Sequence, residues 1–209
     1  MYHFTIPMAL VDYIPVAFFG VSAVLLLRDL YNKMYKGAYA LLAAGSINVF
    51  MAGFFKATWK LLYAAGICDF TALEEMFMPV NSIGLLLVGL SLIGMLLWKR
   101  KSAVLSVAPP VFASSMPFIM MMVLGLGGLC TGLSIVAAKM KKAPVMVLFI
   151  LSFVCAMGMG YMSSQDSTQA WVNWVEQSIN TVSQLCLMLG VIALHKNGLK
   201  NWTWEDAAK

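Results

Sequence analysis

Long apolar runs separated by short charged or polar stretches dominate this chain. The runs cover roughly positions 6–27, 37–55, 77–98, 143–161 and 173–194, and a longer uncharged stretch extends from Ser102 to Ala138. A helix needs about 20 apolar residues to cross the hydrocarbon core of a bilayer. The pattern therefore predicts a bundle of membrane-spanning helices joined by short connections.

The uncharged stretch decides how many helices there are. It lies between the basic clusters 99–101 and 139–142, and Pro109, Pro110 and Pro117 can break it. If the stretch crosses the membrane twice, the chain has seven helices, and 12 of the 14 Lys and Arg residues lie on one side. If it crosses once, the chain has six helices, and these residues divide 6 against 8 between the two sides. Lys and Arg concentrate in cytoplasmic loops. We therefore predict seven transmembrane helices, with the N-terminus outside and the C-terminus cytoplasmic.

The fourth of these crossings is short, at about positions 102–115. A proline-opened backbone is tolerated at membrane depth only where protein covers it, so we expect this segment to pack inside the bundle. The same topology divides the chain into a first three-helix half (1–101), a short proline-containing linker helix (102–116), a second three-helix half (117–196) and a cytoplasmic interfacial tail (197–209). In the tail, Trp202 and Trp204 resemble the tryptophans that anchor membrane proteins at headgroup level.

The composition agrees with an all-α integral membrane protein. The chain is 61% hydrophobic and 11% charged, against about 45–50% and 25% in soluble domains. The net charge of +5 reflects the sidedness of the loops and gives no reason to expect nucleic acid. The first residues lack a basic n-region and a small-residue cleavage site, so the first run should remain as a helix. We expect a multi-pass protein of the cell (cytoplasmic) membrane.

The residues that usually hold metals or carry out catalysis are scattered. The four cysteines show no C-x-x-C spacing, and the two histidines lie at opposite ends of the chain. The 17 methionines include thioethers that would suit Cu(I), but methionine is also a common apolar filler. We therefore expect no metal or other cofactor. Because no nucleophile or phosphate-loop motif is present, an enzyme acting on lipid is the least favoured reading.

The two predicted halves echo each other weakly. At an offset of 106 positions, Ser46, Met51 and Phe55 match Ser152, Met157 and Tyr161. At an offset of 101 positions, Glu75, Ser82 and Gly89 match Glu176, Ser183 and Gly190. Glu74 is an alternative match for Glu176. A parallel repeat of three helices around one linker helix resembles, in topology alone, the plan of SWEET-type sugar transporters and related vitamin permeases. No proline here is followed by the glutamine of their signature, so no site residue is transferred from them.

Asp12 is the most informative polar residue. It lies within the first two turns of an apolar helix, with Pro15 one turn later, and a carboxylate at that depth is costly unless it is paired or hydrated. We expect Lys56 to be its partner. One reading is a solute- or proton-binding carboxylate at the floor of an outer cavity. The other is that Asp12 lies at headgroup level and orients the first helix.

The full candidate solute site has structural alternatives too. Capping boxes at Thr71–Glu74 and Asn173–Glu176 would explain the glutamates without function, and buried amides can simply join helices. The site residues that we predict are Asp12, Lys56, Glu75, Glu176, Asn48 and Gln184.

The sequence therefore favours a permease for a small polar solute or ion, with its site between the two halves. The alternative is a non-transporting receptor or a subunit of a larger membrane complex. The expected partners are the lipid bilayer, the solute, and either a second copy of the chain or a membrane partner subunit.

Overall fold

The computed structural model describes residues 4–97, 116–162 and 170–202, and over these ranges the chain is helical, without strands. Six spans are long and apolar enough to cross a membrane, so this is a multi-pass membrane protein. The helices are α1 (Ile6–Val11), α2 (Tyr13–Leu30), α3 (Lys36–Ala64), α4 (Ala72–Glu75), α5 (Phe77–Leu97), α6 (Met116–Lys139), α7 (Ala143–Met162) and α8 (Ala170–Lys196). Two of the spans are made of two helices each, α1 with α2 and α4 with α5.

Prolines determine where two of the spans break. The break between α1 and α2 at Asp12 lies three residues before Pro15, and the break between α4 and α5 at Met76 lies three residues before Pro79. Proline has no N–H, so the carbonyl four residues earlier loses its helical donor and the helix is interrupted there. The breaks follow from the sequence, and one of them places the carboxylate of Asp12 at an irregular point of the backbone.

Glycines end two of the helices as the sequence indicates. Gly66 follows α3 with φ of 67°, and Gly198 follows α8 with φ of 84°. The N–H of the residue after each glycine bonds to a carbonyl five residues earlier, Ile67 to Leu62 and Leu199 to Leu194. This is the Schellman arrangement, which glycine favours because it has no Cβ. The helix end at Gly66 is thus explained by the residue type at that position.

The two predicted capping boxes are wrong. Thr71 precedes α4 but makes no side-chain capping bond. Asn173 lies inside α8, which already begins at Ala170, and its side chain is buried. The backbone continues helical upstream of Asn173, so that residue caps nothing, and Glu176 loses the structural explanation that the sequence offered for it.

The six spans form a closed ring in the order α2, α3, α5, α6, α7 and α8, with α8 returning to α2. Successive spans within each half run antiparallel: Gly53 faces Val16 across α2 and α3, and Gly45 faces Val88 across α3 and α5. The middle of the ring is filled by apolar side chains, of which Leu42, Leu92, Leu129, Phe149 and Leu187 are almost wholly buried.

Among spans that follow one another in the described chain, α5 and α6 are the pair that pack parallel to each other. A Cβ on Gly125 would come within 2.3 Å of the carbonyl carbon of Leu85, one on Gly128 within 3.0 Å of the Cα of Gly89, and one on Gly132 within 3.0 Å of the Cβ of Leu92. The contact positions rise together along both helices. We call this backbone-to-backbone contact the glycine seam. The end of α5 and the start of α6 therefore lie at opposite ends of the bundle.

The two ends of the bundle carry opposite kinds of charge. Of the ten Lys and Arg residues in the described ranges, eight lie at the end where α2, α5, α6 and α8 finish, which we call the basic face: Arg28, Lys33, Lys36, Lys139, Lys141, Lys142, Lys196 and Lys200. The other end, the acidic face, carries Asp12, Asp69, Glu74, Glu75 and Glu176 with Lys56 and Lys60.

The first and last described residues lie at different faces. The ring of Phe4 packs 5.6 Å from that of Trp59 near the acidic face, whereas the ammonium of Lys33 donates to the carbonyl of Trp202 at the basic face. The predicted fourth crossing at 102–115 lies outside the described residues, as do the basic cluster 99–101 and Trp204.

Candidate functional site

A buried ion pair lies at the acidic end of the ring. The Nζ of Lys60, in the last two turns of α3, is 2.8 Å from Oδ2 of Asp12, and each side chain is 6% exposed. The geometry is that of a charge contact rather than a directed hydrogen bond. We expected Lys56 to be the partner. Because α2 and α3 run antiparallel, Lys60 lies level with Asp12 and Lys56 lies one turn deeper.

Aromatic rings surround the two lysines. The ammonium of Lys56 lies 4.4 Å from the centre of the Phe77 ring, and that of Lys60 lies 5.2 Å from the Phe4 ring. Such contacts between a cation and an aromatic face are worth about 0.5–2 kcal/mol, most where water is excluded. They compensate part of the cost of holding ammonium groups away from bulk water.

Glu176 on α8 completes a mixed-charge group with these residues. The bond between Asp29 and His195 sets the register of α2 and α8, which run in the same direction, and it places Glu176 level with Leu10, close to the height of Asp12. In the described ranges, the ion pairs within 4.0 Å are Lys60 with Asp12 and His195 with Asp29. Neither Glu176 nor Lys56 is therefore in direct contact with an opposite charge among these residues. We call Asp12, Lys56, Lys60 and Glu176 the charged cluster. It joins the first and the second half of the chain.

Next to Glu176, one face of α8 is polar. Gln177, Thr181 and Gln184 follow each other at intervals of four and three residues, which places them on one stripe of the helix. Gln177 is 7% exposed. The side-chain oxygens of all three residues are buried without a hydrogen-bond partner. Leaving a buried polar atom unpaired costs about 1–3 kcal/mol, so this polar stripe calls for water or a ligand.

The structure therefore brings together part of the predicted site. Asp12, Lys56 and Glu176 belong to the charged cluster, and Gln184 belongs to the polar stripe. Glu75 is exposed at the acidic face. Asn48 lies against α5, where its Cβ would be 2.9 Å from a Cβ on Gly84, so it belongs to a helix contact.

A second polar pair was missed by the sequence reasoning. At the basic face, Nδ1 of His195 lies 2.8 Å from Oδ2 of Asp29, whose side chain is buried. The first apolar run ends near position 27, but α2 continues to Leu30 and buries Asp29 against α8. The only available signal was an acidic residue directly after an apolar run. We call this α2–α8 contact the polar seam.

Two open grooves lie elsewhere. The larger, of about 540 Å³, runs between α2 and α3 past Val24 and Phe50; the smaller, of about 240 Å³, runs between α6 and α7 past Met146 and Phe153. Both are apolar and face outward, where lipid chains would fill them. Within the described ranges no three His, Cys, Asp or Glu residues are grouped as metal ligands would be.

No protein-family model, no curated protein and no solved structure matches this chain.

Proposed function

We propose that the protein is a permease for a small polar solute, with its site in the acidic half of the ring between the two three-helix halves. The observation that carries the proposal is the charged cluster next to the polar stripe. Ionisable residues within membrane helices are expensive and usually mark a solute or ion pathway. Here four of them lie in the same half of the membrane as a stripe of α8 that starts directly after Glu176 and carries three buried oxygens without partners, a combination that packing alone does not require.

The ring offers a route for opening. Its two halves meet at the glycine seam and at the polar seam. Backbone contact at Gly89 and Gly125 leaves no room for sliding, whereas the polar seam is joined at the basic face by the side chains of Asp29 and His195. We propose that the halves rock about the glycine seam while the polar seam opens and closes, as alternating access requires.

The proposed topology has an odd number of crossings. Both α5 and α6 run from the acidic to the basic face, so positions 98–115 would have to return the chain between them. Eighteen residues span about 27 Å as a helix, close to the hydrocarbon thickness of about 30 Å. The concentration of Lys and Arg at the basic face favours a cytoplasmic orientation for it. The cell membrane remains our proposed location.

The helix registers support a duplicated origin. Across α7 and α8, Phe149 contacts the Cβ position of Gly190. The offsets of 106 and 101 carry that pair onto Ala43 and Gly89, next to the observed contact of Gly45 with Val88 across α3 and α5. The two antiparallel pairs thus pack in nearly the same register. We propose a parallel three-helix repeat on this basis.

The proposal is tested by solute flux into proteoliposomes that contain the purified protein. A panel of labelled amino acids, hydroxy acids, sugars and polyols covers the small polar solutes. We expect saturable uptake of one class, at least roughly tenfold slower with Asp12→Asn, because the buried Lys60 then lacks its counter-charge. Glu75→Gln, at an exposed position of the same face, is the matched control. Absence of flux for the whole panel would contradict the proposal.

A subunit or receptor role is the second candidate function, and the groove of about 540 Å³ between α2 and α3 favours it. Its walls include small residues such as Gly20 and Ser46, which would let another helix approach closely. Co-purification of a membrane protein at one copy per chain, lost when Gly20 is replaced by Leu, would support this role over transport. Either a second copy of this chain or an unrelated subunit would satisfy that test.

A further inference from the structure

The charged cluster contains a cation and an anion that have not satisfied each other. Lys56 contacts the ring of Phe77, and Glu176 lies on α8 close to the height of Asp12. Among the described residues, neither forms an ion pair within 4.0 Å. The remaining two charges of the cluster, Asp12 and Lys60, already neutralise each other at 2.8 Å. Lys56 and Glu176 are thus one positive and one negative group of the cluster that are not ion-paired within the described residues.

The polar stripe begins at the height of this pair of charges. The bond between Asp29 and His195 joins positions 166 apart on α2 and α8, two helices that run in the same direction. Counting back along both at about 1.5 Å per residue puts Gln177 level with Val11 and Asp12, and Gln184 level with Phe18. The unpartnered oxygens therefore begin at the height of the charged cluster and continue towards the middle of the membrane.

The chemistry of these groups selects a class of ligand. An ammonium such as Lys56 only donates hydrogen bonds and attracts a carboxylate. The carboxylate of Glu176 only accepts, and the Gln177, Thr181 and Gln184 oxygens lack a donor. A ligand that satisfies both sides carries an anionic group and an N–H-bearing cation a few bonds apart.

We infer that the solute is a small zwitterionic amino acid, with its carboxylate on Lys56 and its ammonium on Glu176 and the oxygens of the polar stripe. This inference rests on the proposed permease function and narrows its substrate. A neutral polyol would leave the two charges unmatched. A hydroxy acid would satisfy Lys56 but leave Glu176 without a counter-charge.

The test is ligand-induced thermal stabilisation of the purified, detergent-solubilised protein, followed by its tryptophan fluorescence. The probes are L-alanine, L-serine and glycine, compared with lactate, which lacks the ammonium, with ethylamine, which lacks the carboxylate, and with glycerol. We expect a saturable rise in melting temperature with at least one amino acid and none with the other three. Equal stabilisation by lactate or glycerol would overturn the inference.

Variants assign the effect to the site. Lys56→Met should weaken the apparent affinity for the amino acid roughly 10- to 100-fold, the value of one charge-assisted hydrogen bond. Lys56→Arg should retain most of it, and Lys36→Met at the basic face is the matched control. If Lys56→Met does not fold, Gln177→Leu serves instead and should weaken binding in the same direction. Unchanged affinity in the variant that folds would overturn the assignment.

The outcomes separate this inference from the permease proposal. Flux and stabilisation by a polyol or a hydroxy acid, without any response to amino acids, would refute the zwitterion and leave a permease. Absence of flux for the entire panel, together with absence of stabilisation, would refute both.

Discussion

Asp29 and His195, 166 positions apart in the sequence, meet at 2.8 Å across α2 and α8. Asp29 is 2% exposed, and an ionised carboxylate only accepts hydrogen bonds, so His195 pairs with it through the tautomer that has its proton on Nδ1. The other oxygen of Asp29 is buried without a partner. The contact links the first and last described spans at the basic face. Among the described residues, His195 is the partner that compensates the burial of this carboxylate.

Removing the histidine alone should be worse than removing both partners. We expect His195→Ala to destabilise the protein by about 2–4 kcal/mol, because it leaves a buried carboxylate unpaired. This is somewhat less than the cost for a wholly buried pair, since His195 is partly exposed. Adding Asp29→Asn should recover part of that loss. Equilibrium unfolding in mixed micelles measures both, with the exposed Lys196→Ala as control. Equal stability of His195→Ala and the wild type would contradict the pairing.

The glycine seam should tolerate no side chain at its tightest point, Gly125. A Cβ on Gly125 would lie 2.3–2.5 Å from backbone atoms of Leu85 and Leu86, and overpacking of this kind costs about 1–3 kcal/mol or more. Gly125→Ala should therefore lower the free energy of unfolding by at least that amount. Gly158→Ala is the matched control, because a Cβ there would meet nothing within 4 Å and alanine favours a helix by up to about 1 kcal/mol.

The two faces should lie in different compartments. Cys68 is exposed next to the acidic face, and Asn201 is exposed at the basic face. In intact cells a membrane-impermeant maleimide should label Cys68. It should label Asn201→Cys, in a Cys68→Ser background, only after the cells are permeabilised. Labelling of both positions from the same side would rule out an odd number of crossings.

Locking the polar seam should stop transport, whereas locking the glycine seam should not. In a background without native cysteines, a cross-link between Asp29→Cys and His195→Cys joins α2 to α8. The comparison cross-link joins Leu92→Cys to Gly132→Cys, positions whose Cβ atoms are about 3.0 Å apart. We expect flux to fall severalfold with the first cross-link and to return on reduction. Loss of flux with the second cross-link alone would contradict a rigid glycine seam.

The fold was predictable where one physical rule decides it. Apolar length predicted the six described spans, because a crossing needs about 20 apolar residues. The capping boxes at Thr71 and Asn173 failed because a local sequence match does not tell whether the backbone upstream is already helical.

The site was predictable only in part, because pairing between helices depends on their register. Asp12 stood out as a buried charge, but whether Lys56 or Lys60 pairs with it depends on the register in which α2 and α3 pack. Asp29 and His195 lie at opposite ends of the sequence, and the closed ring brings them together. Glu75 and Asn48 were polar residues in suitable segments, but one is exposed and the other lies at a helix contact.

The directions of the spans have an electrostatic consequence of their own. Four of the six described spans finish at the basic face, those ending with α2, α5, α6 and α8, and two finish at the acidic face. Each helix carries a macrodipole equivalent to roughly half a negative charge at its C-terminal end. The described backbone thus gathers more negative than positive helix ends at the basic face. The lysines and arginines there compensate the backbone's own partial charges, apart from any role in orienting the protein.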